Sequence, residues 1–197
     1  ILQMLGRKTL EGPSSATAGI LAQSVGGGGG IGGLNGTLAV APLGSTAAIG
    51  IGGSGGAAGN ASTVSVVRGY APGGSGGETA APATIWTRGD NASGLVAQSI
   101  GGGGGMAGMT LGFALSGVTS PPEGEKNIAA NIVVGGSGGA SGTGDDVSVR
   151  HAGNIATEGD RSDAITAQSI GGGGGSANYS LGLGLFRKAN AMSLAIG

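Results

Sequence analysis

Where apolar residues recur in this chain, they tend to recur at every second position. Val147 and Val149 alternate with Ser148 and Arg150, and Leu181, Leu183 and Leu185 alternate with glycine. That period is the mark of a strand, whose successive side chains leave opposite faces. No stretch sustains apolar spacing of three and four. Interior glycine also opposes helix by about 1 kcal/mol per residue, so no helix is expected. In the C-terminal part of the chain the predicted strands cover residues 146–150, 154–157, 164–170, 179–185 and 192–196, with glycine-rich turns between them.

The strands sit inside a longer repetition. The phrase Ala-Gln-Ser-(Val or Ile) followed by five glycines occurs at residues 22–30, 97–105 and 167–175, which places Gln23, Gln98 and Gln168 at spacings of 75 and 70 residues. A second phrase, Gly-Gly-Ser-Gly-Gly, begins at Gly52, Gly73 and Gly135. Val64-Ser65-Val66 and Val147-Ser148-Val149 follow the first and last of these at the same offset, and Gly89-Asp90 and Gly159-Asp160 precede the second and third glutamines at a common offset. Ile51-Gly52 and Ile196-Gly197 stand at equal distances after Gln23 and Gln168. Residues 1–197 therefore read as one fragment of a longer repeat array, with three partial or complete units centred on Gln23, Gln98 and Gln168. Each unit holds several short strands and is expected to make about three coils.

Short strands in tandem satisfy their backbone groups when each coil pairs with the coils above and below it. The expected fold class is all-β, a parallel β-helix or β-solenoid with glycine-rich turns. On the strand around Gln168, Ile165, Ala167 and Ser169 share one face; Ile20, Ala22 and Ser24 match it, as do Leu95, Ala97 and Ser99. This large-to-small series is expected to point inward and the glutamines outward, with the reverse left open. The runs at 26–30, 101–105 and 171–175 read either as flexible linkers or as ordered corners, where glycine is needed for positive φ or close backbone approach. Ordering is favoured because the flanks and the length recur. A polyproline-II bundle of glycine runs is the alternative fold, disfavoured by the alternating apolar residues.

Composition narrows the function classes. Glycine makes up 50 of the 197 residues, while charged residues make up 10% and aromatics 3%. A disordered chain of this kind would carry more charge and fewer apolar residues than the 39% seen here. The apolar residues are mostly small or aliphatic, suited to a narrow core. Net charge is −1, and nine scattered Lys and Arg form no patch for nucleic acid or an anionic membrane. No run of 18 apolar residues suggests direct membrane insertion of this fragment. The absence of cysteine removes thiol catalysis and cysteine zinc sites. No glycine run ends in Gly-Lys-Ser/Thr as a phosphate loop does. Glycine does not keep the third-residue period of collagen. Gly142-Thr143-Gly144-Asp145 gives a single match to a calcium-binding repeat that requires a series. No cofactor and no metal is expected.

The Ala-Gln-Ser-Ile phrase with its five glycines, the preceding Gly-Asp turn with a serine soon after it (Ser93 and Ser162), and the Gly-Gly-Ser-Gly-Gly blocks resemble passenger regions of large Gram-negative autotransporters. The resemblance covers nearly the whole chain. It implies a parallel β-helix passenger, exported by an outer-membrane barrel outside this fragment and displayed at the cell surface or beyond. The expected function is a non-enzymatic, structural stalk or filament module supporting adhesion or self-association, with another copy or a host or abiotic surface as partner. A polysaccharide-active β-helix enzyme is the alternative. Two insertions, around residues 70–83 and 118–126, depart from the repeat and are expected to project as loops.

Candidate sites have plainer readings beside them. Arg88-Gly89-Asp90 spells an integrin-recognition tripeptide, but Glu158-Gly159-Asp160 takes its place in the next unit, so Gly-Asp reads as a turn with Asp bonding its own backbone. His151, the only histidine, has Asp145, Asp146, Glu158 and Asp160 near it in sequence, and a polar turn accounts for all of them. Trp86, Tyr70 and Tyr179 are the aromatics best suited to stack on a sugar, with packing or simple exposure as the plainer role. No catalytic, cofactor or metal residue is assigned.

Overall fold

The structure, a computed structural model, describes residues 2–4, 10–12, 17–41, 44–73, 77–117, 127–186 and 189–197. Among these the chain is all-β, without helix, and its strands form mainly parallel three-stranded sheets. The fold divides into two compact units, each entered three times by the chain. Strands are numbered along the sequence.

The first unit comprises Ile1–Gly26, Asn60–Gly101 and Thr143–Gly171. One of its sheets joins β3 (Ile20–Val25), β10 (Leu95–Ile100) and β15 (Ile165–Ile170) in parallel, with Gln98 opposite both Gln23 and Gln168. A second joins β1 (Leu2–Met4), β6 (Val64–Arg68) and β13 (Val147–His151), and a third β2 (Leu10–Gly12), β9 (Ile85–Thr87) and β14 (Ile155–Thr157). Their inner faces meet around Ile20, Val64, Val66, Ile85, Leu95 and Ala97, flanked by Ala22, Val147, Val149 and Ile155. Burying a side chain of the size of Leu95 or Ile85 contributes about 1.5–3 kcal/mol. The large-to-small face points inward as expected: Leu95, Ala97 and Ser99 are fully buried. The 70–83 insertion forms an antiparallel hairpin of β7 (Tyr70–Pro72) and β8 (Glu78–Ala80), while the insertion at 118–126 lies outside the described residues.

Each of these parallel strands pairs with its equivalents in the other repeats, not with its neighbours along the chain. The expected three coils per repeat are therefore incorrect. One repeat makes a single pass through these sheets, because the hydrogen-bonding partner of each parallel strand lies one whole repeat away.

The second unit comprises Gly27–Gly59, Gly102–Gly142 and Gly172–Gly197. It holds one parallel sheet of β4 (Asn35–Ala41), β11 (Thr110–Ser116) and β16 (Ser180–Phe186), and another of β5 (Thr46–Ile51), β12 (Asn127–Val134) and β17 (Ala189–Ile196). The two sheets face each other through small residues: buried Thr110, Gly112, Ala114 and Ser116 on one side, buried Ala129, Asn131 and Val133 on the other. A methyl group on Gly112 would lie 2.5 Å from Val133 Cγ2 and 2.7 Å from Asn131 Oδ1, so no larger interior fits. Asn131 Nδ2 crosses the gap and donates to the carbonyls of Gly112 and Leu183, each at 3.1 Å.

The glycine runs are neither linkers nor corners. From their second glycine onward they are segments of the second unit, bonded sideways at every third residue. Gly29 and Gly32 donate to the carbonyls of Gly103 and Met106, and Gly104 and Ala107 to those of Gly173 and Ser176, all at 2.8 Å. The central run also bonds in other directions: Gly105 and Gly108 donate to Gly56 and Gly53, and Gly139 donates to Gly105. Bonding at every third residue, without bonds inside a run, matches the three residues per turn of polyproline II. Positive φ is not the reason for the glycine. Among the described residues the glycines with positive φ are Gly44, Gly69, Gly117 and Gly153, none of them in a run. Proximity is the reason at Gly29, Gly104, Gly105 and Gly175: a Cβ on Gly105 would fall inside contact distance of the Gly30 carbonyl oxygen and within 2.8 Å of the Gly56 nitrogen, whereas one on Gly27 or Gly30 would meet nothing within 4 Å.

Candidate interaction surfaces

In the first unit the alternate face of β3, β10 and β15 carries the glutamines outward, as expected. Parallel register stacks the three amides, with Gln23 Nε2 donating to Gln98 Oε1 at 2.6 Å and Gln98 Nε2 donating to Gln168 Oε1 at 2.8 Å. Serines stack likewise, Ser148 on Ser65 at 3.0 Å. The inward Ser99 hydroxyl instead ties loops to the sheet, donating to the Ser62 carbonyl and accepting from the Asp145 amide.

The sequence-singled residues fall into this scaffold as separate small groups, Trp86 with Arg88 and Glu158, and Asp90 with Asp160. Asp90 does not bond its own backbone; its Oδ1 accepts the amide of Asp160, the matching residue of the next repeat, at 2.9 Å. Arg88 lies over the Trp86 ring at 3.9 Å and 3.7 Å from Glu158, whose other oxygen accepts the indole N–H at 2.9 Å. Both the guanidinium and one ring face are thus engaged within the molecule. Tyr70 lies under Arg150, which pairs with Glu78 at 2.8 Å and so fastens the hairpin to β13. Tyr179, in the second unit, is largely exposed. His151 sits opposite Arg68 in the β6–β13 pairing. Burial, and secondly the Arg68 charge, hold its pKa below the ordinary 6.5. Asp145 is held below the ordinary carboxylate value by the Asp146 amide and next by the Thr63 hydroxyl, so both its oxygens are occupied. Among the described residues no three His, Asp or Glu side chains converge as a metal site would require. A cleft of about 400 Å³ between β3 and β6 is lined by Leu21, Ala22, Gln23, Ser24, Ser62, Thr63, Val64 and Ser65, none of which titrates.

The second unit carries a feature the sequence reading missed. With its interior filled mainly by glycine, alanine, serine, threonine and asparagine, and by Val133 as the bulkiest apolar side chain there, most of its large side chains lie outside. On the first sheet Leu38, Phe113 and Leu183 align across the strands, as do Val40, Leu115 and Leu185. On the second, Ile49, Ile132 and Leu194 align, as do Ile51, Val134 and Ile196. Exposure reaches 72% at Leu38, 70% at Leu185 and 66% at Ile51. The signal was present as large residues alternating with Gly, Ala, Ser or Asn, the reverse of a core strand alternating with charge. The glycine runs add Ile31, Leu34, Met106 and Met109, exposed and spaced by three.

No protein family, no curated protein and no solved structure matches this chain.

Proposed function

We propose that the chain is a stretch of parallel β-solenoid, serving as a structural stalk or filament module of a secreted bacterial protein of the autotransporter-passenger kind. In this reading it is displayed at the cell surface through a barrel outside this fragment, supports adhesion or self-association, and catalyses nothing. The observation that carries the reading is copy-on-copy register: equivalent residues of successive repeats lie opposite one another in all five three-stranded sheets, down to the glutamine amides. Such stacking makes length from repetition and needs only neighbouring repeats. The dispersal of the described titratable groups over turns, strand ends and the hairpin agrees with a scaffold.

The test is electron microscopy of the purified 197-residue chain, with a far-UV circular dichroism spectrum from the same sample. The expected result is a β-type spectrum with a polyproline-II contribution and compact or rod-like particles. A random-coil spectrum with no particles would remove both the solenoid and the stalk.

A further inference from the structure

The two outer sheet faces of the second unit are too large and too uniformly apolar to be incidental. The six strands β4, β5, β11, β12, β16 and β17 contain no charged residue. On the β4–β11–β16 face the exposed side chains are Leu38, Val40, Phe113, Leu181, Leu183 and Leu185. Six side chains of this size at about half exposure present roughly 600 Å² of apolar surface, and the β5–β12–β17 face presents a matching area. The largest apolar patch on a typical monomer is about 300–600 Å², and this one unit has two at that limit. A stable protein interface takes about 800 Å² from each partner, including its polar rim. Each face therefore comes close to what a dimer requires.

We infer that a second copy of this chain covers each face, sheet against sheet. The inference rests on the stalk reading and names its partner. Periodicity selects a β-sheet partner, and a second copy supplies one of matching area that is equally free of charge. The side chains stand in straight rows, one residue per strand, at the inter-strand spacing of about 4.8 Å. Only another ladder of the same spacing stays in step with such rows along the whole face, as in stacked sheets that interdigitate about 10 Å apart. The uncharged strands impose no like-charge repulsion on self-docking. They also lack the basic residues by which an interfacial segment engages lipid headgroups. Because the second unit has two such faces, pairing through one leaves the other open, and association continues beyond the dimer.

The test is sedimentation velocity of the 197-residue chain over a dilution series. Three variants accompany it: Leu38→Lys with Leu183→Lys on one face, Ile49→Lys with Leu194→Lys on the other, and all four together. All four positions point to solvent, so the circular dichroism spectrum should not change. The unsubstituted chain should grow in mass with concentration without a plateau. Either two-site variant should stop at twice the monomer mass, and the four-site variant should remain monomeric. Should the lysine variants unfold, Leu38→Cys labelled with pyrene replaces them, since the chain has no other cysteine. Excimer emission at high concentration that vanishes on dilution supports face-to-face contact, and its absence overturns it. A folded chain that stays monomeric throughout overturns the inference and leaves the stalk reading standing, whereas a random-coil spectrum removes both. A monomer that floats with phosphatidylcholine vesicles assigns the faces to lipid and overturns the second copy as well.

Discussion

Replacing Gly105 by alanine puts a methyl group against the Gly30 carbonyl oxygen, and within 2.7 and 2.8 Å of the oxygen and nitrogen of Gly56. Ordinary carbon–oxygen contact is wider, so the runs must separate by roughly 0.5–1 Å, a gap that weakens hydrogen bonds steeply. Three bonds lie in the path: Gly105 to the Gly56 carbonyl, Gly139 to the Gly105 carbonyl, and Gly56 to the Gly30 carbonyl. At about 1 kcal/mol each, with a further penalty for any group left buried and unpaired, the loss is roughly 3–5 kcal/mol. Alanine recovers only about 0.4–1 kcal/mol by stiffening the unfolded chain. The counterpart is Gly30, in the neighbouring run, where an added Cβ meets nothing within 4 Å and φ is not positive. Gly30→Ala should be neutral or stabilising by up to about 1 kcal/mol. Urea unfolding followed by circular dichroism separates the two. With a slope of about 1–3 kcal/mol/M, Gly105→Ala should lower the midpoint by about 1 M or more relative to Gly30→Ala. Equal midpoints would mean that the runs are not held against one another, and the account of why they are glycine would be wrong.

Other perturbations test the remaining parts of the fold by the same unfolding assay. Asn131→Ala removes the only side-chain donor to the Gly112 and Leu183 carbonyls recorded among the described residues, and should cost about 2–4 kcal/mol; a loss below about 0.5 kcal/mol would refute the cross-gap role. Gln98→Ala breaks the amide ladder on both sides but at a solvent-facing position, so about 1 kcal/mol is expected. His151 has a folded pKa below 6.5, so the unfolded chain takes up its proton first and stability rises with pH across that interval. Midpoints should therefore fall as pH drops through and below 6.5, and His151→Gln should flatten that dependence. An unchanged profile would show that the imidazole is not desolvated.

Much of the fold was legible because two of its periods are written in side chains. Alternation at Val147/Val149 and Leu181/Leu183/Leu185 marked strands, and the recurrence of Gln23, Gln98 and Gln168 marked the residues that now stack. The large-to-small order of Leu95, Ala97 and Ser99 gave the inward face. The number of coils was misjudged because consecutive strands along the chain look like stacked rungs, whereas the true partner is the copy one repeat away. The glycine runs were harder, since a homopolymer displays no period. Their period survives only where the run is interrupted. Ser54, Ala57 and Asn60 are spaced by three, as are Ser137, Ala140 and Thr143, and all six are exposed. The outward apolar faces escaped because a core is expected to attract large residues. Here the gap between the sheets admits nothing bulkier than Val133 and Asn131, and Leu38 or Ile51 has no interior to enter.

These two periods also explain why the chain should repeat at all. Ordering a glycine costs more backbone entropy than ordering any other residue, about 1–2 kcal/mol each at least. A run can meet that cost only through bonds to runs around it. The central run has them on several sides, through Gly104, Gly105, Ala107 and Gly108. In the third copy, Gly171, Gly173 and Gly174 have nothing within 4 Å of an added Cβ, so that side of the run is open. The same contrast holds in the first unit, where Leu95 on the middle strand is fully buried while Ile165 on an outer strand is 47% exposed. Each further copy placed on an open side would convert an edge into a middle, closing both glycine and apolar surface. Stability in such an arrangement grows with the number of nearest-neighbour interfaces. A chain with a quarter of its residues as glycine therefore gains more from each added copy than a chain whose strands are ordered on their own.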